Sequence, residues 1–140
     1  MGLNVRGAEA GLLACYGTLR RRGLFAHVGF RVAGGLRFWG YGRVRGCLHW
    51  QAFFPALVPG RGLVAVEVYR VDDKAVLNWL DRYEGFDPGN TGRSVFVRRR
   101  ALLEGTSKMV WLYCLNRSVQ PGHPIRFPAR GTACFSGRIE

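Results

Sequence analysis

Few side chains in this sequence carry negative charge: nine Asp and Glu against 21 Lys and Arg, a formal net charge of +12 over 140 residues. Lysine is nearly missing too, with only Lys74 and Lys108, so the positive charge is almost all arginine. The four cysteines, Cys15, Cys47, Cys114 and Cys134, lie far apart, form no CxxC and show no Cys/His spacing that would seat zinc. They read as reduced structural thiols. No apolar run approaches the ~20 residues of a membrane span. The opening MGLNVRGAEAGLLACYGTLR lacks the basic region, long apolar core and small-residue cleavage site of a signal peptide. The expectation is a soluble, intracellular, cytoplasmic chain with no membrane partner.

Several chemistries are missing as motifs. There is no GxSxG nucleophile elbow, no HExxH and no Walker GxxxxGK[ST]. GYGRVRG (residues 40–46) spaces its glycines loosely like a dinucleotide loop, but it lacks the third glycine at the required offset and opens no helix. His27, His49 and His123 have no pairing pattern and read as ordinary surface or core residues.

What is present is a globular composition, 48% hydrophobic and 13% aromatic, at the size of one domain with one sizeable core. The positive field suggests an anionic partner, nucleic acid among the classes to consider. Apart from Arg20-Arg21-Arg22 and Arg98-Arg99-Arg100, however, the basic residues are scattered. Strand alternation in FVRRRALL would put Arg98 and Arg100 on one face and Arg99 on the other. This distribution argues for a generally basic surface and against nucleic acid as the main partner.

No repeat, linker or low-complexity tract divides residues 1–140, so a single domain is expected. Residues 12–17 read as a buried strand, and residues 21–30 as a short helix or turn. VAGGLRFWGYGRVRGCLHW alternates loosely, with glycines where a strongly bent strand needs them. QAFFPALVPGRG reads as a Pro-punctuated turn. In residues 63–71, Val64, Val66, Val68 and Arg70 share one strand face; Ala65, Glu67, Tyr69 and Val71 share the other. DDKAVLNWLDRYEGF predicts a helix with Asp72 or Asp73 as N-cap, an apolar stripe of Ala75, Val76, Trp79, Leu80 and Tyr83, and Gly85 as its stop. RSVFVRRRALLE and KMVWLYCLN predict a hairpin around Gly105-Thr106-Ser107. The tail, residues 117–140, is Pro-rich and less regular. These elements point to an α+β domain built on a small curled sheet or barrel.

Because carboxylates are so few, each can be weighed. Asp72, Asp73 and Asp81 have helix-cap or exposed-face explanations, whereas Glu67 sits inside an apolar strand and Glu84 ends the helix. A carboxylate at a helix C-terminus faces the negative end of the dipole, which disfavours its charge and raises its pKa beside Tyr83 and Phe86. Local sequence leaves Glu84 two readings, a solvated frayed end or an acid/base group. The stretch CYGTLRRRG (residues 15–23) is also double-edged. It is either a strand end with a solvated basic turn or a loop whose bare amides hold an anion.

Taken in order, YGTL, VRGCLHWQAFFPALVPG, LVAVEVYRVDD, LDRYEGF, RSVFV and VWLYCLN resemble the gamma-glutamylcyclotransferase-like family over residues 12–116. That family also includes gamma-glutamylamine cyclotransferases and many uncharacterised bacterial members. The resemblance implies a small mixed β-barrel with flanking helices, conversion of a gamma-glutamyl compound to 5-oxoproline with release of an amine or amino acid, and no cofactor or metal. It also implies that Tyr16, Gly17, Thr18 and Leu19 bind the glutamyl moiety, that Glu84 is the acid/base residue, and that Tyr113 lines the pocket. Two positions depart from the family pattern: Val66 stands where Gly is usual and is expected to narrow the pocket or shift which amine fits, and Thr91 stands where Tyr is common. The tail also lacks the usual ending.

Such a reaction asks little of a protein. The substrate's own α-amine attacks its γ-carbonyl, and well-oriented intramolecular attack is worth ~7–11 kcal/mol. A single carboxyl group with a pKa near the working pH can move the protons. The amides of Gly17, Thr18 and Leu19 are candidate oxyanion donors, and Arg20 is the candidate for the substrate α-carboxylate. The alternative reading is an inactive member that uses the same pocket to bind a small glutamyl-like or anionic metabolite. The amine half of the substrate and the oligomeric state are not legible.

Overall fold

The computed structural model describes residues 11–16, 35–52 and 54–125. Five strands form one sheet in the order β2-β3-β1-β5-β4, with β1 Leu12–Cys15, β2 Leu36–Gln51, β3 Phe54–Val71, β4 Phe96–Leu102 and β5 Met109–Leu115. One helix, α1 (Lys74–Glu84), and a short 3-10 turn (Thr91–Arg93) complete the described elements. None of their helices is long and apolar enough to cross a membrane.

β1 is the centre of the sheet. It pairs antiparallel with β3, from Leu12 opposite Arg70 to Cys15 opposite Glu67. On its other side it runs parallel to β5, with Leu13 opposite Trp111. All four of its side chains are buried, as expected of a strand covered on both faces. Alternation sends Leu12 and Ala14 into one cluster with Val64, Val66, Val68 and Leu112. It sends Leu13 and Cys15 into a second with Tyr69, Val76, Leu77 and Leu80. The first cluster fills the curl of the sheet, and the second is roofed by α1. The face assignment expected for residues 63–71 holds.

QAFFPALVPGRG is not a turn: most of it lies in β3, paired with β2 from Gln51 opposite Phe54 to Cys47 opposite Val58. The reversal is confined to the hairpin tip, where Ala52 takes a positive φ of 57°. Pro59 is tolerated because the register breaks there. Leu63 resumes opposite Arg45, so the residues after Val58 face only Gly46, whose φ of 146° few other residues would adopt.

The helix forms where expected. Asp73 caps it, its carboxylate accepting from the Ala75 amide at 3.0 Å, and Gly85 ends it in the left-handed conformation at φ 76°. Its buried face differs from the expected stripe. Val76 and Leu80 of that stripe are inside and Trp79 packs against them, but Leu77 and Asp81 are buried too, whereas Ala75 and Tyr83 are exposed. The rotation has a specific cause: Asp81 is drawn inward by an ion pair with Arg98 of β4, at 2.8 Å, so the exposed-face reading of Asp81 is overturned. Asp72, by contrast, stays at the surface, paired with Arg37 at 2.7 Å.

The barrel expectation also needs correction. The α+β class holds, but the sheet is open, and no ladder joins β2 to β4 among the described residues. Among the described residues, the curl brings those edges together around Glu104. There the Glu104 amide donates to the Arg43 carbonyl at 2.8 Å, and Arg45 pairs with the Glu104 carboxylate at 2.9 Å. The far end of β2 is instead covered by the first part of the tail. Ile125 donates to Leu48, Trp50 donates to His123 and Gly122 donates to Trp50, all at 2.8–2.9 Å. Val66, expected to narrow the pocket, is packed inside the curl at 2% exposure and leaves the cavity described below untouched.

Candidate active site

The last turn of α1, strands β4 and β5 and the β2–β3 hairpin tip meet over the C-terminal end of β1. Here Ala14, Cys15 and Tyr16 form the floor of a cavity of about 220 Å³. The last turn of α1 brings Tyr83 and Glu84 to its side, and Phe96 of β4 and Tyr113 of β5 close the back. Phe54 and Pro55, just past the β2–β3 tip, complete the wall. Tyr83 is stacked on Trp79 one turn earlier (centroids 5.6 Å apart, planes 13° off parallel), which fixes its ring.

Glu84 is the one acidic side chain on this wall among the described residues. It is half-buried, and removal of water raises its pKa from the usual carboxylate range to about 7. The group therefore exchanges a proton near neutrality. Cys15 lies beside it but is unsuited to nucleophilic attack. Burial, then the charges of Glu67 and Glu84, push its thiol far above the ordinary range, so it stays protonated. Burial, assisted by the bond to Asp81, likewise keeps the Tyr113 phenol neutral.

A belt of hydrogen bonds surrounds the cavity. Asp81, three residues before Glu84, accepts from Arg98 Nε at 2.8 Å and Nη2 at 3.1 Å, and from the Tyr113 hydroxyl at 2.7 Å. The Tyr16 hydroxyl donates to the Tyr113 carbonyl and accepts from the Leu57 amide at 3.0 Å. β4, α1, β5, β1 and β3 are thus tied together through side chains around one space. Both tyrosines expose ring surface to the cavity while their hydroxyls are engaged behind it.

Residues 13–131 match the family model described as gamma-glutamyl cyclotransferase, AIG2-like. The chain belongs to this family. Its fold is shared with solved structures of low identity. An uncharacterised protein from Pyrococcus horikoshii aligns at 23% identity and TM-score 0.59, covering 81% of this chain and 84% of its own. An AIG2-like protein from Mus musculus aligns at 24% and 0.57, covering 79% of each chain. A structure titled gamma-glutamyl cyclotransferase aligns at 16% and 0.51, covering 81% of this chain and 69% of the other. No curated protein matches the chain in sequence.

Of the site residues anticipated for a cyclotransferase of this family, Tyr16, Glu84 and Tyr113 lie on one cavity. Gly17, Thr18, Leu19 and Arg20 lie outside the described residues. Thr91, the other departure from the family pattern, sits in the 3-10 turn, where its carbonyl accepts from the buried Asn116 side chain at 2.9 Å. Asp81 and Arg98 were missed as a pair. The available signal was an acid one helical turn before Glu84 together with an arginine on the inward register of a later strand, but their pairing is visible only in three dimensions.

Proposed function

We propose that this chain is a cofactor-independent gamma-glutamyl cyclotransferase that releases 5-oxoproline and a free amine or amino acid. The observation carrying this reading is Glu84, a half-buried carboxyl with a pKa of about 7 on the wall of a cavity otherwise lined by aromatic and small side chains. In the proposed reaction the substrate folds back so that its α-nitrogen faces its γ-carbonyl. Glu84, as carboxylate, takes a proton from the α-ammonium, and the freed lone pair forms the new C–N bond. The γ-amide bond then breaks, and Glu84 returns the proton to the departing nitrogen. The second proton lost by the α-nitrogen leaves with the released amine as ammonium. The amides of Gly17, Thr18 and Leu19 are assigned to the oxyanion, and Arg20 to the substrate α-carboxylate. These four assignments come from the sequence.

The test is a screen of gamma-glutamyl amines, gamma-glutamyl dipeptides and glutathione, read by 5-oxoproline formation. Turnover of at least one class is expected. Glu84→Gln should lower kcat by about 10²–10⁴-fold while the protein stays folded, the range for loss of a general acid/base. A Glu84→Gln protein with near-native turnover would refute the proton-transfer role. Binding of gamma-glutamyl compounds with no turnover would identify a non-catalytic binder instead.

A further inference from the structure

We propose that Asp81 and Arg98 are positioning residues that hold the last turn of α1 and the Tyr113 side chain so that Glu84 faces the cavity. This rests on the cyclotransferase reading for its catalytic consequence, though not for its structural content. Asp81 lies outside the cavity lining, and its effect passes through its neighbours. It is 4% exposed, and its two oxygens accept three hydrogen bonds, two from Arg98 and one from Tyr113. Arg98 is held on its other side by the Trp111 ring, its guanidinium carbon 4.5 Å from the centroid. Burial works against the Arg98 charge, but the bonds to Asp81 outweigh it and keep the guanidinium ionised.

The arrangement costs more than stability alone requires. A buried ion pair is commonly no more stabilising than well-packed apolar residues of the same volume, because both charges must be stripped of water. What the pair adds is direction. Asp81 and Glu84 are three residues apart, neighbours on the helix surface, and a fork of two parallel bonds from one arginine fixes the rotation of that turn about the helix axis. Tyr113 is oriented by the same carboxylate, and its carbonyl is the acceptor for Tyr16. One pair therefore registers three cavity-lining side chains against one another.

The decisive comparison is between the wild type and Asp81→Leu/Arg98→Met, an apolar replacement of the whole pair. The Tyr113 hydroxyl retains the Leu77 carbonyl at 3.5 Å as a nearby acceptor. Three quantities are measured: the thermal midpoint, kcat and KM on the best gamma-glutamyl substrate, and the Glu84 carboxyl titration by ¹³C NMR. Among the described residues, the titratable groups facing Glu84 are Cys15 of β1, Tyr16 just after it, Tyr113 of β5 and Tyr83 on its own helix. The substitutions replace none of these residues, and of the four only Tyr113 loses a bond, the one to Asp81. Charge lost from Asp81 is balanced by charge lost from Arg98.

The double variant is expected to melt within about 5 °C of the wild type. Its kcat should fall about tenfold or more with KM changed less than about threefold, the pattern for loss of an arrangement needed mainly in the transition state. Its Glu84 midpoint should drop by about one unit or more as the loosened turn admits water. Asp81→Asn, which keeps the side-chain outline, is the second variant; it leaves the Arg98 charge without its partner, so it should melt below the double variant while kcat and the Glu84 midpoint fall in the same direction. Wild-type kcat and an unmoved Glu84 midpoint in either folded variant would overturn the proposal. If the wild type forms no 5-oxoproline, the cyclotransferase reading fails, and the Glu84 midpoint still decides whether Asp81 and Arg98 place that carboxyl.

Discussion

At the scale of single residues, the raised pKa of Glu84 ties activity and stability to pH in opposite directions. In the proposed reaction, proton abstraction from the substrate ammonium needs the carboxylate, so kcat/KM should fall as pH drops below about 7. Stability runs the other way. The folded pKa of about 7 lies above the usual value of 4.5, so between these limits the folded state binds a proton that the unfolded chain has released. Stability is therefore fullest below the unfolded value, declines as pH rises through the window, and levels off above about 7. The difference of about 2.5 units corresponds to roughly 3 kcal/mol. Glu84→Gln should then melt roughly 5–10 °C above the wild type at pH 8 and lose that advantage at pH 4. A thermal melt at both pH values checks this; an unchanged difference would mean that Glu84 carries no burial penalty. The direction of the shift was legible in sequence, but its cause, burial, was not. A helix-end glutamate flanked by Tyr83 and Phe86 already pointed to a raised pKa, although sequence left open whether that end was solvated.

At the scale of elements, legibility divides by how local the cause is. The caps of α1 were readable, Gly85 outright and the N-cap as Asp72 or Asp73, because caps act within one turn of themselves. The buried strand expected at residues 12–17, found as β1 over Leu12–Cys15, and the hairpin at Gly105 were readable from alternation and turn chemistry. The buried face of α1 was misjudged because its rotation is decided by Arg98, distant in sequence, which pulls in a charged residue that periodicity assigns to the surface. The Pro-rich segment before residue 63 was misjudged for a similar reason. Its strand character comes from pairing with β2, and the register break at Gly46 supplies the relief that Pro59 needs. Gly85 lets the helix end be tested directly. A Cβ there would meet nothing within 4 Å, so Gly85→Ala should cost only the left-handed strain, about 1 kcal/mol or somewhat more. Its position next to Glu84 gives a further consequence. The Phe86 amide donates to the Asp81 carbonyl at 2.7 Å across this turn, so relaxing the cap should displace Glu84. The expected result is kcat reduced by more than the small stability loss explains, measured well below the melting temperature. Native kcat alongside the stability loss would show that the cap serves the fold alone.

At the scale of the whole molecule, charge is the least balanced quantity. Twenty-one basic side chains face nine acidic ones, and the described residues contain three ion pairs. Two of these, Arg37–Asp72 and Arg45–Glu104, are at the surface, where such pairs contribute about 0–1 kcal/mol. The third is the buried Asp81–Arg98 pair, which salt barely reaches. Most arginines therefore lie in a field of their own sign, and that repulsion opposes the compact state. Added salt shortens the screening distance from about 10 Å at 0.1 M to about 3 Å at 1 M. It weakens the two surface pairs slightly but relieves repulsion summed over the whole surface. Between about 0.05 and 0.5 M sodium chloride the melting temperature should consequently rise. If stability instead rested on surface pairs, the melting temperature would fall over the same range. The same titration bears on the nucleic-acid reading. A chain that bound RNA through several phosphates would lose affinity steeply over that interval, in proportion to the phosphates contacted. Activity carried by a half-buried carboxyl in an aromatic cavity, as proposed, should instead change only modestly.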